Sequence, residues 1–188
     1  MSGAAGRLVV RDARPDEHDA VRALTLRAYA EYARVMTPEA WAGLEHAVHA
    51  ALDAEGRALR DTAPPDAPAP AFPAQRLVAL DGDAIVGTVL LYPPASDAYG
   101  GVTERTPWPE VRLLAVPPEQ RGAGVGKALM DECVRRARAA GATSLGLHTS
   151  RSLEAAVRMY RRMGFVRAPA HDFQPPGAEL VEAYRLEL

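Results

Sequence analysis

The sequence is short of cysteine, nearly free of lysine, and has neither a long apolar run nor an excess of one charge. Cys133 is the single cysteine of 188 residues, which excludes an internal disulfide and a thiolate metal cluster. It falls on the apolar stripe of a predicted helix, so packing is its expected role. Lys127 is the one lysine, the rest of the 22 basic residues being arginine. A net charge of −2 argues against a broad nucleic-acid or membrane surface. Arg7, Arg11, Asp12, Arg14, Asp16, Glu17 and Asp19 crowd the start, which does not suit a secretory leader. No run approaches the ~18 apolar residues of a membrane span. The expectation is a soluble, cytoplasmic protein.

What is present is ordinary for a globular chain: 48% hydrophobic and 24% charged residues. The length fits one domain over residues 1–188, at the usual ~100–200 residues each. No internal repeat is visible. Five prolines among alanines, Pro64, Pro65, Pro68, Pro70 and Pro73, rule out a helix interior or central strand over about 60–75 and predict a loop.

The most informative stretch is Val111 to Met130. Val111–Val116 is a short apolar run ended by Pro117-Pro118, since proline lacks the amide proton a strand ladder needs. Arg121-Gly-Ala-Gly-Val-Gly126 comes next, and then apolar positions at Val125, Leu129, Cys133 and Ala137 mark a helix. Strand, glycine loop and helix start form an anion cradle. Glycine permits positive φ and close approach of a ligand, and a helix N-terminus presents unpaired N–H groups and partial positive charge. Arg121 and Lys127 add full charges, and a pyrophosphate suits the site. Two common phosphate motifs fail on spacing. A P-loop needs glycine where Arg121 stands and a hydroxyl where Ala128 stands. The dinucleotide fingerprint puts Lys127 or Leu129 in its last glycine position.

From the start of the chain, Leu8–Arg11 reads as a strand. Asp16 is expected to cap a helix with Val21, Leu24 and Ala28, and Thr37-Pro38 starts a second with Trp41, Leu44, Val48 and Leu52. Arg76–Leu80 and Ala84–Tyr92 flank Asp81-Gly-Asp83 as a hairpin. Pro93–Pro109 is a long connection to the central strand. Gly141 closes the helix after the glycine loop. Thr143–Thr149 is the next strand, and Ser152 is expected to cap a helix bearing Val157 and Tyr160, closed by Gly164. Phe165–Arg167 and Glu179–Leu188 complete the pattern, with a loop over Pro169–Gly177.

The motif [QR]-x-x-G-x-[GA], met as Arg121-Gly-Ala-Gly-Val-Gly126, with its flanking strand, prolines and later Tyr160, resembles the acetyl-coenzyme A loop of the GNAT superfamily of N-acetyltransferases. The predicted order β-α-α-β-β-β-α-β-α-β-β is similar to that fold along nearly the whole chain. The resemblance implies an α/β protein with a mixed central sheet flanked by about four helices. It implies acetyl-CoA as acyl donor, with no metal, and a small-molecule or peptide amine as acceptor. The pantetheine arm would pair with the backbone of Leu114, Ala115 and Val116. Arg121, Gly122, Ala123, Gly124, Val125, Gly126 and Lys127 would surround the pyrophosphate. Ser152 stands where the family often has asparagine, although a helix cap is the preferred reading.

Moving an acetyl group from a thioester to an amine needs a neutral amine, a stabilised oxyanion and a protonated leaving thiolate. The resemblance implies Tyr160 as general acid and Glu110, at the head of the central strand, as general base, directly or through water. A solvated edge charge at Glu110 and a core tyrosine at 160 are the alternatives. By periodicity His148 is a core histidine, while His46 and His49 lack a third metal ligand and suit a solvated helix face. The role of His171-Asp172 is open. The same resemblance implies an acceptor site near Tyr29, Tyr32, Trp41, Tyr99, Glu104, Trp108, His171 and Phe173, an aromatic and acidic set that suits a cationic amine. A final strand and exposed helices are compatible with a homodimer. A non-catalytic acyl-CoA sensor of the same fold is the alternative to an enzyme.

Overall fold

Gln75–Asp81 (β2) and Ala84–Tyr92 (β3) form the expected hairpin. Gly82 supplies the positive φ of its turn, 59°, at no steric cost. The computed structural model describes residues 8–60, 72–96, 101, 103–175 and 179–188. The other elements are β1 (Val9–Asp12), α1 (His18–Ala30), α2 (Pro38–Arg60), β4 (Glu110–Ala115), α3 (Val125–Ala139), β5 (Ser144–Ser150), α4 (Glu154–Arg162), β6 (Val166–Arg167) and β7 (Val181–Glu187). Short 3₁₀ turns lie at Pro15–Glu17, Glu31–Arg34, Pro118–Gln120 and Pro169–His171. This is the expected element order. Most of the proline-rich stretch, residues 61–71, lies outside the described residues, as do Tyr99 and Gly100.

The strands build one seven-stranded sheet in the order β1-β2-β3-β4-β5-β7-β6. β4 and β5 run parallel, and the other neighbouring pairs are antiparallel. Alternation along β3 divides the core between the two faces. Val89 and Leu91 pack with Val125, Leu129, Met130 and Cys133 of α3. Leu90 packs with Val48 and Leu52 of α2 and with Leu113. Leu24 and Ala28 of α1 cover Ala115 on that same side. Burying a side chain such as Leu129 contributes roughly 1.5–3 kcal/mol. Gly87 lets α3 come close, because a Cβ there would lie 2.7 Å from Val125 Cγ1. Cys133 is fully buried, and that burial pushes its thiol up to about 12.

The helix ends match the sequence in part. Thr37 accepts the Ala40 N–H at 3.3 Å. Gly164 has φ 92°, and its N–H bonds the Arg161 carbonyl at 3.1 Å while Phe165 N–H bonds that of Tyr160 at 3.0 Å, satisfying orphan carbonyls of α4. Two expected caps are corrected. At the first helix it is Glu17, not Asp16, whose carboxylate accepts a main-chain proton, from Arg14 at 2.7 Å. Glu17 is pinned there by Arg11 at 2.6 and 2.8 Å, whereas Asp16 points outward. At α4 the N-cap is Leu153, without a side-chain cap. Ser152 instead donates to Glu179, at 2.8–2.9 Å, because the chain entering β7 brings that carboxylate over the turn.

Candidate active site

The feature that opens a site in the sheet is the parting of its two parallel strands. β4 and β5 are in register at Glu110–Gly146 and Val111–Leu147. Beyond these pairs Leu113 adopts φ 48°, and β4 spends Arg112 to Ala115 against Leu90 to Thr88 of β3. The extra residue is a bulge, which bends a strand and re-aims its next residues. Leu114, Ala115 and Val116 therefore stand past the last pair to β5. The Leu114 carbonyl accepts the Tyr29 hydroxyl at 3.4 Å, and that of Val116 accepts Arg121 Nε at 3.0 Å.

The glycine loop lies directly after this stretch. Gly122 and Gly124 have φ of 80° and 82°, and a Cβ at either would meet no atom within 4 Å. They face open space, as a cradle for a bulky anion requires. Gly124 is the N-cap of α3, and no acidic residue stands in the first turn. The first helical bond runs from Ala128 N–H to the Gly124 carbonyl at 2.9 Å, so the amides of Val125, Gly126 and Lys127 precede the ladder. Gly126 packs on Met159 of α4, to whose sulfur a Cβ would come within 3.4 Å. Ala123 is exposed between the two left-handed glycines, and Val125 is buried under β3. The two flanking cations are engaged within the protein. Lys127 Nζ pairs with Asp131 at 2.6 Å, and Arg121 pairs with Glu31 of the turn after α1.

Tyr29, which bonds the Leu114 carbonyl, has two further phenols near it, Tyr32 and Tyr160. Tyr160 of α4 is buried with Phe165 at 5.9 Å between centroids. Burial, reinforced by the nearby Tyr29, holds its hydroxyl well above the usual phenol range, so it keeps its proton at neutral pH. Tyr29 is raised mainly by burial too. Tyr32, edge-on to Tyr29 at 5.9 Å, is raised by burial and partly offset by Arg121.

Glu110 is a buried carboxylate rather than a solvated one, at 4% exposure. Its Oε1 is hydrogen-bonded to His148 Nδ1, and its Oε2 lies 3.2 Å from the Thr106 hydroxyl. His148 Nε2 meets the His171 carbonyl at 2.9 Å. Sequence periodicity places His148 inside the strand but gives no sign of this partner, which depends on strand register. Glu182, also missed by sequence reasoning, is buried and held by Arg151, by Arg167 Nε at 3.4 Å and by the Tyr184 hydroxyl at 3.0 Å.

The residues expected around an acceptor fall into separate groups. Tyr29 and Trp41 line a cleft of about 290 Å³ between α1 and α2, together with Glu45 and His49. Trp108 and His171 are edge-to-face at 4.7 Å, and Phe173 packs on His148 at 5.2 Å. Glu104 is exposed. Among the described residues no group of three or more histidine, cysteine or acidic side chains is placed to hold a metal, and no helix is long and apolar enough to cross a membrane.

Residues 42–165 match the family model described as Acetyltransferase (GNAT) family. The chain belongs to the GNAT acetyltransferase family. The chain is similar to a mycothiol acetyltransferase of Geodermatophilus obscurus, 28% identical over 79% of this chain and 46% of that protein. It is also similar to N-alpha-acetyltransferase 30 of Schizosaccharomyces pombe, 32% identical over 51% of this chain and 60% of the relative. The chain thus spans about half the length of the curated relatives it matches. In fold it resembles a GNAT family acetyltransferase of Brucella melitensis solved in complex with acetyl-CoA, with TM-score 0.60 and 19% identity over 97% of this chain and 89% of that one.

Proposed function

We propose that the chain transfers the acetyl group of acetyl-CoA to a primary amine by direct attack. The observation that carries this reading is the parting of β4 from β5 after Val111–Leu147, followed directly by the glycine loop; Tyr160 lies near Tyr29, whose hydroxyl bonds the Leu114 carbonyl. Gly122, Ala123, Gly124, Val125, Gly126 and Lys127 would hold the pyrophosphate on main-chain amides, with Arg121 at the rim. Leu114, Ala115 and Val116 would offer strand-like pairing to the pantetheine arm. Ser152, already bound to Glu179, would border that arm.

The donor supplies a thioester, and the residues of this chain do the rest. Tyr160, kept neutral by burial, donates a hydrogen bond and then its proton to the departing thiolate. Glu110 takes the proton that the substrate ammonium must lose before its nitrogen attacks, directly or through water. A main-chain amide of β4 stabilises the oxyanion.

The names of the matched relatives put both small-molecule amines and peptide α-amines in the test panel. Free thiol release from acetyl-CoA is measured on each amine. Turnover on any of them, lowered in Tyr160→Phe, supports the enzyme. Tight acetyl-CoA binding by calorimetry with no turnover across the panel would instead support an acyl-CoA sensor.

A further inference from the structure

Glu110 opens β4 opposite Gly146 of β5. Side chains two apart on a strand share a face, so His148 comes diagonally within reach of Glu110. The two side chains are 5% and 2% exposed and hydrogen-bonded to each other. On its far edge the imidazole meets the His171 carbonyl at 2.9 Å, and Phe173 packs against its ring. The ring is therefore fixed on three sides, by β4 and by two residues of the 169–175 loop.

These contacts determine where protons sit. A carbonyl oxygen accepts only, so Nε2 of His148 carries a proton toward His171. On the opposite edge of the ring, Nδ1 is hydrogen-bonded to the Glu110 Oε1. Neither oxygen of Glu110 is left to choose its own direction, since Oε2 faces the Thr106 hydroxyl at 3.2 Å.

We propose that His148 is a positioning residue for acetyl transfer: its Nδ1 aims the Glu110 carboxylate, and its Nε2 fixes the imidazole by bonding the 169–175 loop. This inference rests on the reading of Glu110 as the base. It assigns the two ring nitrogens different tasks, which amide side chains can separate. In His148→Asn the amide nitrogen stands near the place of Nδ1 and still donates to Glu110. In His148→Gln it stands near the place of Nε2 and bonds the His171 carbonyl, leaving Oε1 of Glu110 without its donor.

The experiment compares His148→Asn, His148→Gln, Glu110→Gln and the Glu110→Gln/His148→Gln double variant by thiol-release kinetics. Acetyl-CoA calorimetry on each variant reports whether the fold is kept. The expected result is a fall in kcat of ~10- to 100-fold for His148→Gln, below the 10²–10⁴ of a complete acid–base contribution, with KM for acetyl-CoA unchanged. His148→Asn should recover most of that loss, and the double variant should be no slower than Glu110→Gln, as for residues acting as a unit. Equal losses in Asn and Gln, full activity in His148→Gln, or losses that multiply would overturn the proposal. Full turnover in Glu110→Gln would instead remove the base reading itself. If a variant fails to fold, ¹⁵N-imidazole spectra of the unsubstituted protein decide. A proton on Nε2 of His148, with Nδ1 hydrogen-bonded, is expected, and a bare Nε2 would refute the assignment.

Discussion

The indole of Trp108 occupies the space that a side chain at Gly146 would need. A Cβ at 146 would overlap Nε1 and Cδ1 of that ring. Gly146 N–H also bonds the Pro109 carbonyl at 2.9 Å, so the absent side chain and the main chain together seat Trp108 at the start of β4. The Arg185 guanidinium lies over the same ring at 5.3 Å, and His171 meets its edge. Trp108 thereby links β4, β5, β7 and the loop that holds His148.

Gly146→Ala forces that indole to move. Overpacking of a filled core costs typically about 1–3 kcal/mol, so the urea midpoint should drop by the corresponding amount with an unchanged slope. Tryptophan fluorescence should shift as well, because Trp108 gains access to water. A midpoint equal to that of the unsubstituted chain would show that the ring repacks freely and fixes nothing.

Tyr160→Phe removes one hydroxyl and keeps the ring that packs on Phe165. Under the proposed chemistry, kcat should fall by ~10²–10⁴, the range for a general acid, while acetyl-CoA binding stays within a few-fold. The same turnover with and without the hydroxyl would leave Tyr160 a core residue only.

Gly124→Val tests the cradle. No protein atom blocks a side chain there, but φ of 82° is left-handed, at a cost of roughly 1–2 kcal/mol for a residue with a Cβ. The branched chain would project into the space assigned to the pyrophosphate. Acetyl-CoA affinity should therefore fall by ~10-fold or more, each 1.4 kcal/mol being a factor of ten, beyond the modest loss of stability. Binding unchanged in calorimetry would move the phosphate site elsewhere.

The sequence made the order of elements legible because proline and glycine punctuate it at single positions. Gly82, Gly141 and Gly164 all adopt the positive φ that turns and helix ends demand. Pro117 and Pro118 end β4 for want of a donor. The candidate site was legible only where its residues are neighbours in sequence, as in the glycine loop. The Glu110–His148 pair depends on the register of two strands joined by a crossover helix, and no short-range pattern encodes a register. Arg121 with Glu31, and Ser152 with Glu179, are also distant in sequence. Asp16 and Glu17 sit side by side, and the choice between them as a main-chain acceptor is made by the position of Arg11 on β1.

That choice has a pH signature. Hydrogen bonds from Arg11 hold the Glu17 carboxyl down to about 2, against burial, which opposes ionisation. A carboxyl with a depressed native pKa contributes stability above its unfolded value of ~4.3, and that contribution is lost as pH falls toward 2. Glu132, held down to about 2 by Arg135 and then Arg136, behaves alike, so total stability should decline steeply over this window. Glu17→Gln separates the two. Its stability deficit, read from urea midpoints, should be full at pH 7 and shrink steadily between about pH 4.5 and pH 2, because Glu132 contributes equally to both proteins. A deficit independent of pH would mean that the Arg11–Glu17 contact acts through shape and neutral hydrogen bonding, without its charge.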